Sequence, residues 1–106
     1  MKEYILCAAN YYDDGVEHVH SPRNIKIGFI TCGRRHHNCI HTFAQIAGFP
    51  YDEESLQIHN TEQQGFLTNS DRFVDREEAY RIAKEAGQIL DSSKTRGLEL
   101  YSEDLY

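Results

Sequence analysis

Residues 65–79 of this 106-residue chain constrain its fold most, because a polar loop there runs into a clear helix start. Asp75 is a typical N-cap residue, and Glu78 follows three positions later, as in a capping box. Apolar residues then recur at helical spacing: Ala79, Ile82, Ala83 and Ala86. The pattern predicts a helix that begins at Arg76 and ends at Gly87, or continues to about Leu90.

The same loop brings two arginines, Arg72 and Arg76, to the start of that helix. A helix N-terminus exposes unpaired N–H groups and about half a positive charge, which suits a phosphate or another anion. Polar and aromatic side chains accompany the arginines: Phe66, Thr68, Asn69, Asp71 and Phe73. The loop is therefore a candidate anion site. The plain alternative is a capped helix with solvated arginines.

A second junction, where a strand is expected to turn into a helix, carries Arg34, Arg35 and His36. Two adjacent arginines cannot both face the same way, so at least one is expected to reach outward. A guanidinium grips a phosphate through two parallel hydrogen bonds. If the two junctions meet in space, up to four arginines surround one anion site. The alternative is a set of surface arginines paired with nearby carboxylates.

Length and charge narrow the class of protein. A chain of 106 residues is expected to form a single domain over residues 1–106, with an acidic C-terminal tail at about 92–106. The net charge of −6 argues against long nucleic acid or a membrane surface as a partner, whereas residues 23–41 hold four arginines and lysines and no acid. We see no membrane-spanning run or signal peptide, and the three cysteines suggest a reducing cytoplasm.

The remaining elements predict an α+β fold, a small antiparallel β-sheet with two helices packed on one side. We expect strands over 2–12 and 25–32, and a strand at 16–20 that pairs antiparallel with the first after a turn at 13–15. A helix is expected over 36–47. Residues 55–59 and 65–68 are candidate short strands, and the tail is interpreted as a frayed segment or an arm that docks on another subunit.

Metal and enzyme chemistry have weaker support. Five possible zinc ligands lie within ten residues: Cys32, His36, His37, Cys39 and His41. No second Cys/His pair follows, so we expect no metal and no cofactor. No local signature marks an activated nucleophile. A small nucleotide hydrolase with His36 or His37 as general base is the enzyme alternative, and a non-catalytic protein–protein adaptor is the other.

Together the two junctions resemble a family of phage proteins, the first-described anti-Thoeris sponges. The resemblance rests on Gly28-Phe29 to Arg34-Arg35-His36 and on the segment from Gly65 to Ala79. It implies a compact α+β protomer that assembles into a dimer or hexamer in the cytoplasm of the infected bacterial host. It implies no turnover: a nucleotide immune signal of the glycocyclic ADP-ribose type is bound intact and withheld from its receptor.

The resemblance also implies roles for residues. Arg72 and Arg76 match the arginines expected to hold the ligand's phosphates, and Phe66 or Phe73 would stack on the adenine. Arg34, Arg35 and His36 would line the far side of that site, or a second site for cyclic di- or trinucleotides. Replacing Arg72 or Arg76 by alanine is expected to weaken binding with little change in stability.

Overall fold

The computed structural model describes residues 2–90 and 99–106 and has an α+β fold, as predicted. Its strands are β1 (Ile5–Tyr12), β2 (Phe29–Gly33), β3 (Gln63–Thr68) and β4 (Phe73–Val74). Its helices in the described residues are α1 (His36–Ala47), α2 (Glu53–His59) and α3 (Arg76–Glu85), followed by a 3-10 turn at Ser102–Asp104. The predicted 36–47 helix is confirmed at both ends.

The four strands form one antiparallel sheet in the order β2-β1-β3-β4. Its inner face is lined by Ala8 and Phe66, which pack with Cys39 of α1 and with Ala79 and Ala83 of α3. All five side chains are fully buried. Small residues on strand and helices let the backbones approach closely, so that α1 and α3 lie on the same side of the sheet.

The strand predicted at 16–20 is wrong. The place beside β1 is taken by β2, whose Phe29 lies opposite Tyr12. The turn at 13–15 does form, because the Asp13 carboxylate accepts the Gly15 N–H at 2.9 Å. The chain beyond it has no strand partner, and Val19 is 93% exposed. Alternation of apolar and polar residues there reflects a connecting segment rather than a strand.

Residues 53–59 form helix α2, not the short strand considered for 55–59. Asp52 is its N-cap, since its carboxylate accepts the Ser55 N–H at 2.7 Å. Glu53 and Glu54 occupy the first turn, where negative charge favours a helix. The candidate strand at 65–68 is confirmed as part of β3.

Helix α3 begins and ends as the sequence predicts. The Asp75 carboxylate accepts the Glu78 N–H at 2.8 Å. At the other end Gly87 has a φ of +71°, and the Gln88 N–H reaches the Ala83 carbonyl at 2.9 Å. This is the Schellman geometry, which requires a left-handed residue after the helix and so favours glycine.

The C-terminal segment 99–106 packs on the core of its own chain, unlike the frayed or subunit-docking tail expected from sequence. Leu100 is fully buried, and its N–H donates to the Arg76 carbonyl at 2.9 Å. The Leu90 N–H donates to the Asp104 carbonyl at 2.8 Å. The rest of the predicted tail, up to residue 98, lies outside the described residues.

Candidate functional site

Arg72 is held by two carboxylates. Its Nε donates to Glu3 Oε2 at 2.9 Å, and its Nη2 donates to Glu3 Oε1 at 2.7 Å and to Glu78 Oε2 at 3.0 Å. The Arg72 side chain is 24% exposed. Hydrogen bonding to Arg72 lowers the pKa of Glu3 to about 2. In this arrangement the guanidinium ties the N-terminal segment to the loop before α3.

The other loop residues also make structural contacts. Thr68 is buried, and its hydroxyl donates to Glu3 Oε2 at 2.6 Å. The side chain of Asn69 accepts the Tyr4 N–H at 2.7 Å and donates to the Lys2 carbonyl at 3.2 Å. Asp71 is exposed and has a φ of +59°, so it forms the corner of the turn. These contacts fix the loop that precedes β4.

Arg76, the first residue of α3, points toward α1 and the C-terminal segment. Its Nη1 donates to the Leu100 carbonyl at 2.8 Å, and its Nη2 donates to Gln64 Oε1 at 2.6 Å. The guanidinium lies over the Tyr101 ring, 4.5 Å from the centroid. None of these partners is a carboxylate, so Arg76 keeps its positive charge uncompensated by them.

His36, the first residue of α1, links the two predicted junctions. Its Nε2 donates to the Gly65 carbonyl at 2.8 Å, so the neutral ring leaves Nδ1 as an acceptor. That nitrogen lies 3.5 Å from Nη2 of Arg76. Burial lowers the pKa of His36, and the neighbouring Arg76 charge acts in the same direction. The two junctions therefore meet through Arg76 and His36, whereas Arg72 lies on the far side with Glu3.

Arg34 and Arg35 both lie against the last residue of the chain. Each guanidinium carbon is 5.3 Å from the centre of the Tyr106 ring. Arg35 also donates to the main-chain oxygen of Tyr106 and to the Ser102 hydroxyl. Arg34 is exposed, whereas Arg35 is half-buried. The C-terminal segment thus connects these two arginines with Arg76.

We call this set the arginine–tyrosine cluster: Arg34, Arg35, His36, Arg76, Tyr101 and Tyr106. The charges near the cluster differ between the start of α1 and the start of α3. The first turn of α1 has no acidic residue, whereas that of α3 contains Glu77 and Glu78. A cavity of about 300 Å³ opens beside Arg76 and is lined also by Gln64, Asp75, Glu77 and Glu99. The α1 side of the cluster is therefore the more favourable side for an anion.

The two phenylalanines considered for base stacking have different environments. Phe66 is fully buried, with its ring edge-on to His36 at 5.1 Å. Phe73 is partly exposed and lies 6.0 Å from the Tyr11 ring on the outer face of the sheet, away from the cluster. Sequence analysis missed Gln64, Tyr101 and Tyr106 as neighbours of the arginines. Of these residues, only the tyrosines of the tail stand out in the sequence, where the tail is interpreted as a frayed segment or a docking arm.

The candidate zinc ligands do not gather at one point. In residues 2–90 and 99–106, no group of three or more His, Cys, Asp or Glu side chains has the geometry to hold a metal ion. His37 and His41 are exposed on α1. Cys39 is fully buried on the helix side of the sheet.

Comparison with protein-family models identifies the family of this chain. A family model described as phage T4 y16D protein matches residues 4–106, nearly the whole sequence. The chain belongs to this phage protein family. Searches of curated proteins and of solved structures gave no match. Within residues 2–90 and 99–106, none of the helices combines the length and the apolar character needed to span a bilayer.

Proposed function

We propose that this phage protein binds a nucleotide immune second messenger of the glycocyclic ADP-ribose type and holds it without degrading it. Sequestration would keep the signal from its receptor in the infected bacterium and so block antiviral defence. The observation that carries the proposal is the arginine–tyrosine cluster, in which three guanidiniums lie on two tyrosine rings where two helices begin. Membership of a phage family supports a role in the infected cell.

The chemistry of the cluster suits such a ligand. A cyclic ADP-ribose has a pyrophosphate, ribose hydroxyls and a flat base. Arg34 and Arg35 stand beside a helix start without acidic residues, where phosphate oxygens are favoured. Tyr101 is 46% exposed and its ring already stacks on a guanidinium, so the open face of the ring suits a base.

The proposed roles of the candidate residues follow from these positions. Arg34, Arg35, His36 and Arg76 form the ligand-binding set of the proposal. Arg72 is engaged with Glu3 and Glu78, so its proposed contact with a phosphate requires that it leave these carboxylates. A second site for cyclic di- or trinucleotides is part of the proposal as well, at a subunit interface.

We further propose that the protein works as a homo-oligomer, a dimer or hexamer. Two large apolar side chains lie exposed around the end of α1: Ile46 is 71% exposed and Phe49 is 76% exposed. Exposed rings and branched side chains close together are typical of contact surfaces. Light scattering at micromolar concentration should give a mass of two or six times the 12.3 kDa of one chain. A monomer mass at all concentrations would contradict assembly.

The binding experiment uses a panel of cyclic and glycocyclic ADP-ribose isomers. Calorimetry should find one that binds with a dissociation constant in the micromolar range or below. Heating the complex should then release the unchanged molecule, identified by chromatography. A hydrolase would release product instead, and an adaptor would bind no member of the panel.

Matched variants locate the site. Arg34→Ala removes an exposed guanidinium whose charge-assisted hydrogen bonds are worth about 1.5–3 kcal/mol. Affinity should therefore fall about ten- to hundredfold. Arg81→Ala removes another exposed arginine, from α3, and should bind as the parent does. Equal affinity of Arg34→Ala and Arg81→Ala would exclude the cluster as the site.

A further inference from the structure

Two cysteines, Cys7 and Cys32, lie on neighbouring strands of the sheet. Cys32 of β2 lies opposite Ala9 of β1, and Cys7 is two residues from Ala9 on the same strand. Side chains two positions apart on a strand share a face, so Cys7 and Cys32 are diagonal neighbours on one face of the sheet. This is the face opposite α1 and α3, since Ala8 points to the helices. Each thiol shifts the pKa of the other, as expected of two thiols that are close together.

Cys7 is the more acidic thiol of this pair. The neighbouring Cys32 thiol and the Gly33 backbone lower the pKa of Cys7 to about 7. The pKa of Cys32 is raised, mainly because its proton is shared with Cys7. The neighbouring groups Cys39 and Tyr106 also have raised pKa values, so they are neutral at pH 7. The lowered pKa favours the thiolate of Cys7 near neutral pH, and the thiolate is the form that reacts.

Access separates this pair from the third cysteine. Cys32 is exposed and Cys7 is half-buried, whereas Cys39 is fully buried on the other face of the sheet. The Cys39 thiol lies 3.6 Å from the Ala8 carbonyl, and burial raises its pKa to about 11. Cys39 therefore serves as an unreactive thiol within the same molecule.

We propose that Cys7 and Cys32 form a peroxide-sensitive dithiol, in which Cys7 reacts first and Cys32 closes a disulfide. The Cys7 thiolate attacks one oxygen of hydrogen peroxide, which gives a sulfenic acid and hydroxide. The Cys32 sulfur then attacks the Cys7 sulfur, the S–O bond breaks, and the hydroxyl leaves as water with the Cys32 proton. Two electrons pass from the two sulfurs to the peroxide, and a Cys7–Cys32 bond replaces two thiols.

The test treats the full chain with one equivalent of hydrogen peroxide at pH 7. Intact mass should fall by two hydrogen atoms, and digestion should yield a cross-linked pair of peptides that contain Cys7 and Cys32. Cys32→Ser should stop at the sulfenic acid, which dimedone traps on Cys7. Cys7→Ser should give neither product, and Cys39→Ser should behave as the parent does.

A second measurement needs no variant. Brief alkylation of the unmodified protein with iodoacetamide at pH 7, followed by peptide mapping, should label Cys7 at least about tenfold faster than Cys39. A Cys7 that is alkylated no faster than Cys39 would overturn the proposal. So would a disulfide that forms equally well in Cys7→Ser, or a peroxide-treated parent that retains all three thiols.

Discussion

Asn24 pairs with the backbone of Phe73 through both ends of its side-chain amide. Its Nδ2 donates to the Phe73 carbonyl at 2.7 Å, and the Phe73 N–H donates to its Oδ1 at 2.8 Å. The amide thus occupies the hydrogen-bonding edge of β4, as a further strand would. It also holds the connecting segment 13–28 across the sheet, since the neighbouring Arg23 N–H donates to the Asp71 carbonyl at 2.8 Å. Protection of an edge strand by a side chain limits pairing with another chain.

Asn24→Ala should lower the free energy of unfolding by about 1–3 kcal/mol, since a net hydrogen bond is worth about 0.5–1.5 kcal/mol. It should also raise the tendency of β4 to aggregate. Urea unfolding measures the first effect and light scattering on storage the second. Lys26→Ala, an exposed change on the same segment, is the control and should stay within about 0.5 kcal/mol of the parent. Equal stability of the two variants would show that the Asn24 contacts contribute nothing.

The pairing of Arg72 with Glu3 should be measurable in a double-mutant cycle. Arg72→Ala and Glu3→Gln each break a two-point contact that is about a quarter exposed, with side-chain exposures of 24% and 23%. We expect a coupling energy of about 1–2 kcal/mol, above that of most surface ion pairs. This reverses the expectation that Arg72→Ala leaves stability unchanged. If the two single effects simply add, the Arg72–Glu3 pair contributes no coupling energy.

Acid should remove the stabilisation that the Arg72–Glu3 pair contributes to the folded state. The pKa of Glu3 falls from 4.5 to about 2 on folding, so the native state binds fewer protons than the unfolded chain between these values. The stabilisation is therefore fully present above about pH 5 and is lost as the pH falls toward 2. Unfolding of parent and Arg72→Ala across pH 7 to 2 should show a stability difference that shrinks with acid. A difference that stays constant would contradict the role of Glu3.

Local signals in the sequence predicted where α1 and α3 begin and end, whereas helix α2 was missed. Asp75 and Gly87 act through contacts within five residues, and such contacts need no tertiary partner. The error at 16–20 has a different origin, because the place beside β1 was filled by a strand that follows later in the chain. Pairing choices of this kind depend on the whole sheet, not on local alternation.

The candidate site was only partly predictable, for a related reason. Arg72 and Arg76 look alike in the sequence. Arg72 nevertheless contacts Glu3, near the N-terminus, whereas Arg76 contacts Gln64 and Leu100. These partners lie between 12 and 69 positions away. No pattern within the loop reports which arginine will be paired with a carboxylate. The sequence left open whether the two junctions meet in space. The structure brings His36 and Arg76 together, whereas Arg72 lies apart with Glu3.

Gly65 should tolerate no side chain. A Cβ at this position would lie 2.2 Å from the Val74 carbonyl oxygen and 2.7 Å from the Phe73 ring. Gly65→Ala should therefore separate β3 from β4 and lower the free energy of unfolding by about 1–3 kcal/mol or more. Gly87→Ala is the matched control: its φ is +71° but nothing lies within 4 Å, so only the left-handed backbone strain of about 1–2 kcal/mol applies. Thermal unfolding should rank Gly65→Ala below Gly87→Ala, and the opposite order would contradict this packing.

Tyr101 offers the sharpest test of the proposed stacking. Its ring is 46% exposed and lies over Arg76, so Tyr101→Ala should remove one face of the base-binding surface. Stacking of a base on an aromatic ring is worth about 1–3 kcal/mol, which corresponds to a loss of affinity of about five- to 150-fold for the bound ADP-ribose isomer.

Tyr101→Phe keeps the ring and should bind nearly as the parent does. Tyr4→Ala removes a similarly exposed ring, 43% exposed, from the Asn69 end of the sheet and should leave affinity unchanged. Calorimetry on the three variants separates the outcomes. If Tyr101→Ala binds as tightly as Tyr4→Ala, the base does not stack on Tyr101 and this part of the proposal is wrong.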